Sequence, residues 1–140
     1  MGIFDKVSDA KANGAFSYFE DAGVYETTVK NCSSFLNRKQ QDVIGFTFQI
    51  DKVISGNQNY LGMEKTYLFR VSEYPDSAPG ACKQFIMGIT GSGEDEMTTE
   101  NLERIFSEEQ PLAGLKCKLT LIVKITKKGN NFMAIKGDVL

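Results

Sequence analysis

The chain has 140 residues, of which 41% are hydrophobic and 24% charged, enough for one domain with a buried core and too apolar for wholesale disorder. No apolar run approaches the ~20 residues of a membrane span, no signal peptide opens the chain, and Lys6 stands where a myristoylation signal wants Ser or Thr. The expectation is therefore a soluble protein with no membrane partner, retained in the cell that makes it. The net charge of −2 is segregated: residues 91–111 are strongly acidic, whereas 112–140 carry Lys116, Lys118, Lys124, Lys127, Lys128 and Lys136 against the single acid Asp138. A groove can thus be basic on an acidic protein.

Residues 1–22 read as an N-terminal arm, and residues 23–140 as the domain. Ile3, Phe4 and Val7 have helical spacing, Gly14 interrupts, and Phe16, Tyr18 and Phe19 cluster ahead of the domain, to pack on its wall or on a second copy. From Gly23 the period becomes that of strands. Tyr25–Cys32 forms the first. Residues 33–42 are polar, basic and loop-like, with Phe35, Arg38 and Lys39 among them. Val43–Ile54 is a long second strand, with Ile44, Phe46, Phe48 and Ile50 on one face. Ser55-Gly56-Asn57 breaks it, and Gly62 lies in the same connection; Thr66–Ser72 is a third strand with Tyr67, Phe69 and Val71 alternating.

Pro75, Pro79 and Gly80 end the sheet pattern, and Lys83–Ile89 reads as a short helix through Phe85, Ile86 and Ile89. An acidic glycine-rich loop spans 91–96. Thr98 then caps a second helix carrying Leu102, Ile105 and Phe106, with Met97 and Leu102 placed as a hydrophobic staple; Pro111 and Gly114 stop it. Leu115–Thr126 is the clearest strand, directing Leu115, Cys117, Leu119, Leu121, Val123 and Ile125 to the core. Lys127-Lys128-Gly129-Asn130-Asn131 turns it into a last strand, Phe132–Val139. The expected fold is mainly β: a five-stranded OB-fold Greek-key barrel with a helical insertion between strands 3 and 4 and an N-terminal arm.

Little points to catalysis. There is no histidine, which removes the usual general base and the commonest metal ligand. Nucleophile-elbow, phosphate-loop and zinc-protease motifs are missing. Gly88-Ile89-Thr90-Gly91-Ser92-Gly93 follows a helix pattern rather than a strand, so it reads as a connection and not a phosphate loop. The acids of 94–109 lack the order of a calcium loop and read as a solvated helix face. Cys32, Cys82 and Cys117 form no close pair and read as small apolar core residues. The expectation is a non-enzyme with no cofactor and no metal.

Binding residues are easier to find. Lys116, Lys118 and Lys124 share the outer face of the fourth strand and lead into Lys127 and Lys128, a stripe able to track a phosphate backbone; exposed strand lysines also serve to blunt a sheet edge. Single-strand binding also needs flat stacking surfaces, for which the candidates are Phe35 beside Arg38 and Lys39, Tyr60 and Tyr67 with Arg70 around the third strand, and Phe132 after the basic turn. The two basic loops are those that flank the ligand face of an OB barrel.

Met1-Gly2-Ile3-Phe4-Asp5-Lys6-Val7, the run Tyr18-Phe19-Glu20-Asp21-Ala22-Gly23-Val24-Tyr25, Pro111-Leu112-Ala113-Gly114-Leu115-Lys116 and Thr126-Lys127-Lys128-Gly129-Asn130-Asn131-Phe132 together resemble the small OB-fold single-stranded-DNA-binding proteins of tailed bacteriophages. The resemblance implies sequence-independent binding of single-stranded DNA in phage DNA replication or recombination, in the cytoplasm of a bacterial host and beside other phage replication proteins. The acidic C-terminal tail found on many such proteins is not matched, because this chain closes on Lys136-Gly137-Asp138-Val139-Leu140. The rival expectation is a non-catalytic interaction module, an oligomerising accessory or virion protein that uses the aromatic arm to form a homo-oligomer.

Overall fold

A computed structural model describes residues 17–140. The arm residues Ile3, Phe4, Val7, Gly14 and Phe16 lie outside the described residues. The chain runs through β1 (Gly23–Leu36), β2 (Asp42–Ser55), β3 (Glu64–Phe69), α1 (Ala78–Thr90), α2 (Thr99–Ile105), β4 (Lys116–Ile125) and β5 (Asn131–Val139). The strands make one antiparallel sheet in the order β3-β2-β1-β4-β5. Both helices fall between β3 and β4, as the sequence suggested. The sheet is not closed: β3 and β5 are its two edges.

β1 is the spine of the sheet. It pairs with β2 from Val24 to Leu36, and with β4 only over Gly23–Thr28. Three register shifts interrupt the β1–β2 ladder, between Val24 and Tyr25, Glu26 and Thr27, and Val29 and Asn31. Such irregularities bend and twist a strand, and here they let one strand serve both halves of a curled sheet. Beyond Thr28, Gly114 donates to the Val29 carbonyl at 2.8 Å. The Gln110 side chain then acts as a surrogate strand, accepting from Cys32 N at 2.8 Å and donating to Cys32 O at 2.7 Å.

The concave side is filled by aromatic rings. Phe46 is its hub, with ring centroids 5.2 Å from Phe85, 5.6 Å from Phe106 and 5.8 Å from Phe69, all steeply inclined as edge-to-face packing prefers. α1 turns Cys82, Phe85, Ile86 and Ile89 onto this cluster. It can lie close because two glycines face each other: a Cβ on Gly88 would stand 2.1 Å from the Gly137 carbonyl oxygen, and one on Gly137 would stand 2.3 Å from Ile89 Cγ2. Cys32, Cys82 and Cys117 are free and buried, and burial pushes the Cys32 and Cys82 thiols up to about 12. They are the small apolar residues the spacing implied.

Several elements differ from the sequence reading. Residues 33–42 are not one loop: β1 continues to Leu36, and the connection is a tight turn at residues 37–41 in which Asn37 Oδ1 accepts from Lys39 N and Gln41 N. The first helix starts at Ala78 rather than Lys83, because proline in the first helical turn gives up an N–H that has no partner there anyway. The second helix matches more closely, with Thr98 Oγ1 accepting from Asn101 N. β3 ends at Phe69, short of Ser72. Val123 and Ile125 are not core residues. β4 leaves β1 at Leu121, so the rest of the β4–β5 hairpin projects past the body, leaving Val123 53% and Ile125 73% exposed.

Candidate functional site

Because β3 and β5 do not pair, an open cleft of about 1230 Å³ lies between them, bordered on one side by α1. Phe69 and Phe85, both buried, contribute to its floor. β3 and the turn after it contribute Tyr67, Leu68, Arg70 and Tyr74 to the lining; the hairpin contributes Lys124, Phe132, Met133, Ile135 and Lys136. Tyr74 and Phe132 are exposed. Phe132 stands directly across the ladder from Lys124, which places a ring beside an ammonium on one face of the hairpin. The next residues, Thr126 to Asn130, close the turn through Thr126 N to Asn130 O at 2.8 Å and Gly129 N to Thr126 O at 2.9 Å. Lys127 and Lys128 are thereby held exposed at its tip.

The cations of this region are little opposed. Arg70, Lys124 and Lys136 line the cleft against Glu73 and Asp138, and Lys127 and Lys128 follow at the rim. Arg70 lies 3.8 Å from Glu73, with both groups solvent-exposed, a pairing worth little in water. The projecting hairpin adds aliphatic surface through Ile122, Val123 and Ile125. A surface that combines rings, aliphatic chains and ammonium groups suits a ligand with flat apolar faces joined by negative charge.

Of the residues singled out from sequence, Tyr67, Arg70, Lys124 and Phe132 meet in this cleft. The others part from it for separate reasons. Tyr60 is no stacking platform, because it is only 4% exposed. A 3-10 turn at Gln58–Tyr60 folds it under the sheet, where its hydroxyl accepts from Glu20 N at 2.9 Å and Asp21 N at 3.0 Å. Phe19 packs on its ring at 6.1 Å, and Lys65 Nζ lies 4.5 Å from its centre while donating to Ser17 Oγ. Phe35 is not a loop residue: it is half-buried in β1 opposite Val43. Arg38 and Lys39 occupy the tip of the β1–β2 turn, at the opposite end of the strands from Lys127 and Lys128, so the two basic loops do not share one end.

The lysine stripe on β4 is also broken. Lys118 sits in register between Glu26 on β1 and Asp138 on β5. Lys116 lies 3.9 Å from Asp51, which also accepts a 2.5 Å hydrogen bond from Thr28 Oγ1, and Lys52 lies 3.7 Å from Glu26. This face mixes charges and carries no net basic field, whereas the stripe beyond Leu121 leaves the carboxylates behind. Tyr74, Lys136 and the aliphatic lining were missed. Tyr74 follows the third strand as an exposed aromatic, but its charged sequence neighbours are the acids Glu73 and Asp76, so it lacks the basic neighbours that singled out Phe35.

Among the described residues no group of three or more Cys, Asp or Glu side chains is placed to hold a metal ion, and no helix is long and apolar enough to cross a membrane. Comparison with protein-family models and with curated proteins yields no match.

Proposed function

We propose that this protein binds single-stranded DNA without sequence preference, in the cleft between β3 and β5 and along the projecting β4–β5 hairpin. The observation that carries the reading is the convergence of Tyr67, Tyr74 and Phe132 with Arg70, Lys124 and Lys136 on one cleft. Stacking on aromatic rings is worth ~1–3 kcal/mol per base and is indifferent to base identity, while the cations hold the phosphates. The order β3-β2-β1-β4-β5 with helices between β3 and β4 supports an OB-type barrel opened at its β3–β5 seam, a fold that binds oligonucleotides. The setting the resemblance implies, phage replication or recombination in a bacterial cytoplasm, belongs to the same proposal, as does the absence of catalysis.

A labelled dT oligonucleotide tests this by fluorescence anisotropy. The wild type binds it in preference to duplex of equal length, and Lys127→Ala/Lys128→Ala weakens binding. No detectable binding at low ionic strength would sink the proposal. A second reading, a protein-interaction module, draws on the exposed Ile122, Val123 and Ile125. It requires a partner that still binds when the hairpin lysines are removed and is lost in Ile125→Asp.

A further inference from the structure

β3 and β5 point the same way, because each successive step across the sheet is antiparallel. Among the described residues, the hydrogen bond that crosses from one to the other is Tyr67 Oη donating to the Met133 carbonyl oxygen at 2.7 Å. A side chain, and not a backbone ladder, spans the opening, so the strands stand farther apart than the ~4.8 Å of a paired couple. The ring of Tyr67 packs edge-on against Phe69, with centroids 4.9 Å apart, and it also lines the cleft. The residue best placed to stack a base in the seam is therefore also the one that ties the seam shut.

We propose that Tyr67 is a latch: in the free protein its hydroxyl on Met133 holds β3 to β5, and a base of single-stranded nucleic acid enters by displacing that bond and stacking on the released ring. The inference rests on the binding reading of the preceding subsection and adds selectivity to it. A duplex, whose bases are already stacked and paired, offers no free base to exchange for the latch. The Met133 carbonyl lies in an open cleft and can take water when the phenol leaves, so opening the latch forfeits one hydrogen bond without burying an orphan acceptor.

Two substitutions at this position separate the tie from the ring. Tyr67→Phe keeps the ring and deletes the tie. Its affinity for a labelled dT oligonucleotide rises about two- to twelve-fold, the worth of one net protein hydrogen bond, and association is faster. Tyr67→Ala removes both ring and tie, and its affinity falls about five-fold or more below that of Tyr67→Phe, the two variants differing by the stacking ring. A readout without DNA is hydrogen exchange of the β5 amides in the free protein, which quickens in Tyr67→Phe. If the wild type binds dT and Tyr67→Phe binds no more tightly, the latch is overturned and the binding reading stands. Unchanged β5 exchange in Tyr67→Phe overturns the latch whatever the DNA result. No dT binding by the wild type overturns the binding reading, and base entry with it.

Discussion

Alanine at position 88 should destabilise the protein although it improves the helix. Gly88 lies well inside α1, where exchange of glycine for alanine by itself stabilises by ~1 kcal/mol. The new Cβ, however, would sit 2.1 Å from the carbonyl oxygen of Gly137. That oxygen belongs to the backbone of a laddered strand and cannot rotate aside, so α1 must lift from β5. Overpacking of this kind costs ~1–3 kcal/mol, and an immovable neighbour puts the cost at the upper end. The net is about 2 kcal/mol of destabilisation, a fall in Tm of about 6–8 °C for a domain of this size. Gly80→Ala in the same helix is the control, because its Cβ meets nothing within 4 Å; there Tm holds or rises slightly. Thermal unfolding followed by circular dichroism measures both. A rise in Tm for Gly88→Ala equal to that for Gly80→Ala would refute the glycine-to-glycine contact between helix and strand.

Other outcomes follow from the same geometry. Phe132→Ala should weaken dT binding by ~1–3 kcal/mol in an anisotropy titration, whereas Lys118→Ala, flanked in register by Glu26 and Asp138, should leave it nearly unchanged. Gln110→Ala unpairs the N–H and C=O of Cys32 and should cost ~1–3 kcal/mol in urea unfolding, with dT affinity retained. The cysteines predict an alkaline loss of stability. Cys32 and Cys82 are held up at about 12 when folded, against an ordinary value of 9.0, so above pH 9 the unfolded chain sheds protons that the folded one keeps. The thiols' contribution should be level below pH 9 and fall as pH rises toward 12, by ~1.4 kcal/mol per pH unit for each thiol in that window. Denaturant midpoints measured at pH 8, 9 and 10 check the sign.

What the chain disclosed in advance was mostly periodic. The alternation in Val43–Ile54 and the turn at Lys127-Lys128-Gly129 are short-range signals, and both reappear in β2 and the β4–β5 hairpin. Alternation tells which way a side chain points but not how far the body extends beneath it. Val123 and Ile125 point to the core side of β4 yet have no core there, because β1 pairing stops at Leu121. Ser33 and Ser34 read as loop by residue type, and the ladder with β2 overrode that preference. The fate of Tyr60 depended on acceptor-seeking N–H groups forty residues earlier in the chain, which no local pattern encodes. The charge stripe failed for a like reason: which carboxylates stand beside Lys116 and Lys118 is a matter of strand neighbours. Tyr67, Arg70, Lys124 and Phe132 were legible one by one as aromatic or basic residues on strands. That they share a cleft follows from leaving β3 and β5 unpaired.

The most direct test is the salt dependence of wild-type binding to dT. Arg70, Lys124, Lys127, Lys128 and Lys136 form the basic set at the cleft and its rim. For single strands each phosphate neutralised contributes ~0.7 to the slope of log K against log salt, so engagement of all of these cations gives a slope of about −3.5. A measured slope near that value, reduced by about 1.4 in Lys127→Ala/Lys128→Ala, is the result the cleft and hairpin require. Binding that is undetectable at low salt, or indifferent to salt, would contradict them.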